Sequence, residues 1–137
     1  MKRAAIAKRA AIASVLTAAM LGGPQAFAHH SFGATYVENK QLSIEGELVQ
    51  FVYRNPHALL QVMAPDANRQ MQRWTVEWEA MGQLDHQGVT SMTLKPGDRV
   101  IITGNPGKNA ADHWLRAQTI VRPSDGWKWA VDRGSMR

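Results

Sequence analysis

The chain has 137 residues, no cysteine, and 16 Lys+Arg against 11 Asp+Glu, for a formal net charge of +5. The lack of cysteine excludes disulfides, thiolate metal sites and thiol nucleophiles together. Four of the sixteen cations, Lys2, Arg3, Lys8 and Arg9, crowd the first nine residues, so the rest of the chain holds twelve against eleven. A nucleic-acid reading built on overall basicity therefore loses most of its support.

That basic head is followed by an apolar run from Ala10 to Leu21, interrupted only by Ser14 and Thr17, then by Gly22-Gly23-Pro24 and Ala26-Phe27-Ala28. Basic head, short apolar middle and small-x-small end are the three parts of a secretory signal peptide. A membrane-spanning helix needs about 20 apolar residues, and this run of twelve ends in helix breakers. Residues 1–28 are thus expected to be a cleaved signal, with the membrane met only during export. The paired arginines of a twin-Arg signal are missing, and without cysteine there is no lipid attachment on a thiol. The mature chain would begin at His29-His30, reside in the periplasm or outside the cell, and form one domain.

Residues 29–41 show little periodicity and read as an extended arm ahead of a single small β domain over 42–137. Leu42, Ile44, Gly46 and Leu48 share one face, and then Val49, Phe51 and Tyr53 take the apolar role one residue out of phase. A phase switch near Gly46 predicts a bulge in one long, bent strand. Asn55-Pro56 breaks it, a second strand covers 57–64, and Pro65-Asp66-Ala67-Asn68 has turn chemistry. A third strand is expected over 70–79, with Trp74, Val76 and Trp78 on one face and Thr75, Glu77 and Glu79 on the other.

Ala80, Met81 and Leu84, stopping at Gly88, fit one or two helical turns with a glycine end. Leu94-Lys95-Pro96-Gly97-Asp98 has the form of a type II turn and leads into a strand over 99–104. A loop over 105–109, a fifth strand over 113–122, a turn at 124–126 and a short closing strand over 127–131 complete the chain. Three strands, a short helix and two more strands predict an all-β fold with one short helix. The expected form is a small five- to six-stranded OB-like barrel or, with nearly the same pattern, an open sandwich.

His29-His30-Ser31-Phe32 after the cleavage site, Asn55-Pro56-His57 after the first strand, and Leu94-Lys95-Pro96-Gly97-Asp98 with Gly104 resemble a family of small exported bacterial proteins that is a domain of unknown function. The resemblance spans essentially the whole mature chain. It implies a periplasmic β domain and brings no activity, substrate or catalytic residue. The chain departs from it at Leu59, where members often carry an aromatic.

The His29-His30 pair is the sharpest candidate for chemistry. Cleavage would free the His29 α-amine, with a pKa near ~7.7. That amine can chelate a metal with the His29 imidazole, or with the next amide nitrogen and the His30 imidazole. Such nitrogen-rich sets suit copper as Cu(II), or Ni(II), and His57 could add a further ligand. The same histidines could equally be solvated, bind metal adventitiously or touch a partner, and His57 could hold its loop through a backbone hydrogen bond.

Among the tryptophans, Trp74 and Trp78 form a core stripe with Val76. Trp127 and Trp129, with Asn55, are candidate contacts to a ligand or a partner. Glu77 and Glu79 lie ~6.6 Å apart along one strand at ~3.3 Å per residue, within the range of paired glycosidase carboxylates, yet i,i+2 acids usually mark a solvent face. His86 and His113 read as structural or solvated. With no G-x-S-x-G, H-E-x-x-H or phosphate-loop spacing, no catalytic residue is assigned and a hydrolase is the remote alternative. The expectation is a non-catalytic periplasmic binding protein with a copper-type site at His29, His30 and His57. The alternatives are a groove binder for glycan, peptide or oligonucleotide, and an accessory partner of a periplasmic redox protein.

Overall fold

Alternating side chains become six strands in the computed structural model, which describes residues 32–132. In chain order these are β1 (Leu42–Val52), β2 (Leu59–Pro65), β3 (Met71–Glu77), β4 (Arg99–Pro106), β5 (Trp114–Arg122) and β6 (Trp127–Ala130). Two short helices accompany them, α1 (Phe32–Thr35) and α2 (Met81–His86). Among the described residues no helix is long and apolar enough to cross a membrane.

β1 pairs antiparallel with β2 along its second half and with β4 along its first, and β2–β3 and β4–β5 are also antiparallel. The parallel register Thr75↔Trp114, Val76↔Leu115 and Glu77↔Arg116 joins β3 to β5 and closes the ring. The fold is therefore a closed five-stranded OB-type barrel rather than an open sandwich, with β6 added to the outer edge of β5. Closure removes the free edges that an open sheet would leave.

One strand can serve two partners because β1 bends. Its register against β2 shifts between Leu48 and Gln50, which puts the expected bulge at Val49, where the apolar phase switches. Gly46 instead permits close packing of β1 on β2. A Cβ there would lie 2.0 Å from the Met63 carbonyl oxygen, an approach that only glycine allows. Gly97 takes φ +94° in the Pro-Gly turn, as the type II form requires.

Inward-facing Leu48, Leu60, Val62, Val76, Val100, Ile102, Leu115 and Ile120 are fully buried, each contributing about 1.5–3 kcal/mol by leaving water. Leu84 of α2 is also fully buried and packs into that core. Gly88 follows α2 at φ +76° and donates to the Asp85 carbonyl at 3.0 Å. Arg122 fastens the opposite loops. Its guanidinium donates to the Thr93 carbonyl (2.7 Å), Asp98 (3.0 Å) and Asp125 (2.8 and 3.0 Å). Hydrogen bonds to Asp125 and then Asp98 raise its pKa above the ordinary arginine value.

The segment expected to be an extended arm folds back instead, as far as it is described. Phe32–Thr35 make one helical turn closed by the Tyr36 N–H on the Phe32 carbonyl (2.7 Å). Tyr36 forms a bridge with Gly107 and is 1% exposed. The Val37 N–H donates to the Pro106 carbonyl (2.9 Å), and Asn105 donates to the Glu38 (3.0 Å) and Lys40 (2.9 Å) carbonyls. Burial of one aromatic ring and a buried amide that satisfies two carbonyls outweigh the segment's lack of pattern.

Candidate functional site

The docked segment crosses the outer face of β3 and β5, and that contact creates the main polar cluster of the barrel. On β3, Trp74 and Val76 point inward, so Glu77 points out toward the segment. Its carboxylate is 16% exposed and has both oxygens engaged. The Tyr36 hydroxyl donates to Oε2, and His57 Nδ1 lies 2.5 Å from Oε1. Burial first, then the hydrogen bond and charge of Glu77, push the Tyr36 phenol well above its ordinary pKa. Tyr36 is thus a fixed donor and does not ionise in the physiological range.

His57 enters the cluster from the segment after β1, directly behind the cis Asn55–Pro56 bond. Its ring is 28% exposed and lies 5.5 Å from the Phe32 ring. Phe32 is in turn covered by the Arg116 guanidinium, 3.3 Å from the ring centroid, a cation–π contact. An acceptor-only carboxylate at Nδ1 places a proton on that nitrogen, so in the neutral imidazole Nε2 is the nitrogen with the lone pair. The pairing of an imidazole with a carboxylate that sets its tautomer is the arrangement that supports histidine metal ligands in general.

Of the sequence-derived metal set, His57 is described, whereas His29 and His30 lie outside the described residues, as do the signal segment and its cleavage point. Among the described residues no group of three or more His, Asp or Glu could hold a metal ion. His57 is therefore at most one ligand of a larger set. In place of the alternative backbone hydrogen bond, its ring contacts Glu77. Glu77 itself leaves the solvent-face reading for the same reason, because the docked segment covers that face. Glu79 follows the strand, is partly exposed, and accepts the Ala58 N–H at its carbonyl (3.0 Å).

The aromatic candidates separate. Trp129 is 5% exposed, donates its indole N–H to Gln87 (2.6 Å) and stands edge-on to Trp78 at 5.3 Å. It belongs to the core, so it forms no open stacking platform with Trp127. Trp127 is half-buried against Trp78 (6.4 Å) and Arg122 (5.7 Å). Asn55 is exposed, and its side-chain oxygen accepts the Met81 N–H (3.3 Å), capping the start of α2 in place of Ala80. The exposed indole is that of Trp114, at 37%.

Tyr36 and Arg116 are the members of the cluster that the sequence pattern does not single out, and Glu77 stood out only as one of a pair with Glu79. The available signal for Tyr36 was a second aromatic, four residues after Phe32, in a segment without strand or helix periodicity. Nothing in the alternation of β3 distinguishes Glu77 from Glu79.

Among known proteins, the model of a family of unknown function, DUF6152, matches residues 17–118. No curated protein matches. Two crystal structures of the mitochondrial single-stranded DNA binding protein Rim1 from S. cerevisiae, one of them selenomethionine-labelled, match at 14% identity. Each has a TM-score of 0.43 and covers 59% of this chain and 90% of that one.

Proposed function

We propose that this chain, which belongs to the DUF6152 family of unknown function, works after export as a non-catalytic periplasmic protein that binds a transition-metal ion. The ion is of the Cu(II) type. It is held by the freed amine and imidazoles of His29 and His30, with His57 Nε2 as the ligand from the barrel. The observation that carries this reading is the His57–Glu77 contact of 2.5 Å, which holds the imidazole in the tautomer that a metal ligand needs.

The position of Phe32 supports it. Its ring is 5.5 Å from His57, and two residues of chain span at most about 7 Å. The reading requires the two residues before Phe32 to turn toward His57. A mixed amine and imidazole set with no thiolate favours Cu(II) over softer or harder ions. Only the cleaved chain has the amine, so the precursor lacks the site.

Titration of periplasm-purified, untagged protein with Cu(II), followed by calorimetry and electron paramagnetic resonance, tests the reading. The expected result is one ion per chain in a nitrogen-rich environment. His29→Ala should abolish the site, and His57→Ala should weaken it. Binding that is unchanged when an extra residue blocks the His29 amine would overturn it.

A further inference from the structure

A second site is suggested on the other side of β1, where the barrel wall opens. β1–β2 pairing starts only at Glu47↔Met63, whereas β2–β3 pairing runs on to Pro65↔Met71. The β2–β3 hairpin tip therefore extends past the point where β1 leaves it for β4. A groove of about 650 Å³ lies there, between Lys40–Ile44, the turn at Pro65–Asn68 and the β4–β5 connection ending at Trp114, a size in the ~300–1,000 Å³ range of small-molecule sites.

Its lining joins one exposed aromatic surface to several fixed polar groups. Trp114 is 37% exposed, while Trp74 is 6% exposed with its indole N–H already on the Ala64 carbonyl (3.2 Å). His113 holds a left-handed backbone, φ 51° and ψ 47°, which is uncommon for a residue with a side chain. Its carbonyl receives the Thr75 N–H (3.0 Å), its ring stands edge-on to Trp74 at 5.0 Å, and its Nε2 is 3.8 Å from Asp66 Oδ2. Asp66 is held rigid by the N–H groups of Asn68 (2.8 Å) and Gln70 (3.0 Å) and by the Gln72 amide (3.2 Å). The backbone bond from Gln70, ahead of the smaller contributions, keeps its carboxyl below the usual range and therefore anionic.

We infer that this groove is a binding site for a neutral saccharide, with one sugar face stacked on Trp114 and its hydroxyls directed to Asp66 and His113. A sugar ring has an apolar C–H face and a rim of donors and acceptors. That matches one exposed indole beside a carboxylate and an imidazole. An acidic sugar or an oligonucleotide would bring its own anions to Asp66, with Lys40 the one Lys or Arg in the lining; a phosphate chain needs a cationic track. This site is independent of the His57 cluster and of any metal.

Titration of the isotope-labelled protein with chitotetraose and with maltotetraose, read on the indole N–H resonances, tests the inference. At least one sugar should give saturable shifts at Trp114 and leave buried Trp129 unmoved. Trp114→Ala should weaken binding about tenfold or more, and Trp114→Phe should keep part of it, with the thermal midpoint of Trp114→Phe confirming an intact fold. No saturable shift with either sugar up to ~10 mM, at which even a Kd of ~1 mM would saturate, would overturn the proposal. So would shifts centred away from Trp114, or saturable binding of an oligothymidylate or a tetrapeptide at Trp114 without binding of either sugar.

Discussion

His57 and His113 each sit beside a carboxylate and an aromatic ring, yet the two pairs are built differently. Glu77 offers one oxygen to Tyr36 and the other to His57 at 2.5 Å. Asp66 commits three of its acceptor positions to its own turn, through Asn68, Gln70 and Gln72, and meets His113 at 3.8 Å only. A carboxylate can orient an imidazole when its other contacts leave an oxygen for it. Glu77 therefore acts on a neighbour from another part of the chain, whereas Asp66 acts chiefly on the loop that contains it. Proximity of an acid to a histidine is thus a poor guide until the acid's other partners are counted.

The largest test of this contrast removes the anchor on which the Glu77 side depends. Tyr36→Ala should cost about 3–5 kcal/mol, the range for emptying a fully buried aromatic site, measured as a lower urea midpoint. Tyr36→Phe keeps the ring and loses only the bond to a charged acceptor, worth about 1.5–3 kcal/mol. If both variants destabilise equally, the hydroxyl and not the ring holds the segment. Next in size, Glu77→Gln should lower Cu(II) affinity about 10–100-fold, as loss of an orienting partner does. It should also shift the His57 ring nitrogens in the NMR spectrum of the metal-free protein. Asp66→Asn should leave both unchanged.

The smallest effect lies on the Asp66 side. Its folded pKa is depressed, so its stabilisation is complete above the unfolded value of ~3.9 and fades as pH falls through the lower folded value. Melting curves of Asp66→Asn should therefore differ from the parent chain above about pH 4 and converge with it in stronger acid. A difference that grew toward acid would show that the Asp66 carboxylate destabilises the turn.

Most of the barrel was legible because period-2 alternation reports burial directly. β1 through β5, the helix stop at Gly88 and the turn at Gly97 all carry local signals of that kind. The family likewise corresponds to the expected domain of unknown function. Closure was not legible, since the parallel β3–β5 register depends on residues some forty positions apart. Glu77 failed for a related reason: alternation says which way a side chain points and not what later covers it. Trp129 and Trp114 show the converse. Both are tryptophans on late strands, but β6 lays Trp129 against Trp78, while Trp114 borders a gap between β1 and the hairpin.

Fastening Tyr36 to Glu77 and Gly107 would also make the amino terminus left by the proposed cleavage a tethered reagent. Seven peptide bonds connect His29 to Tyr36, and in the proposed site a tether that short would set an effective concentration of about the millimolar order at His57. A free His-His peptide supplied in trans would have to approach that concentration to compete for the same ion. A copper ion held in the proposed way would then be retained among dilute amines and imidazoles, and a single cut before Tyr36 would release it.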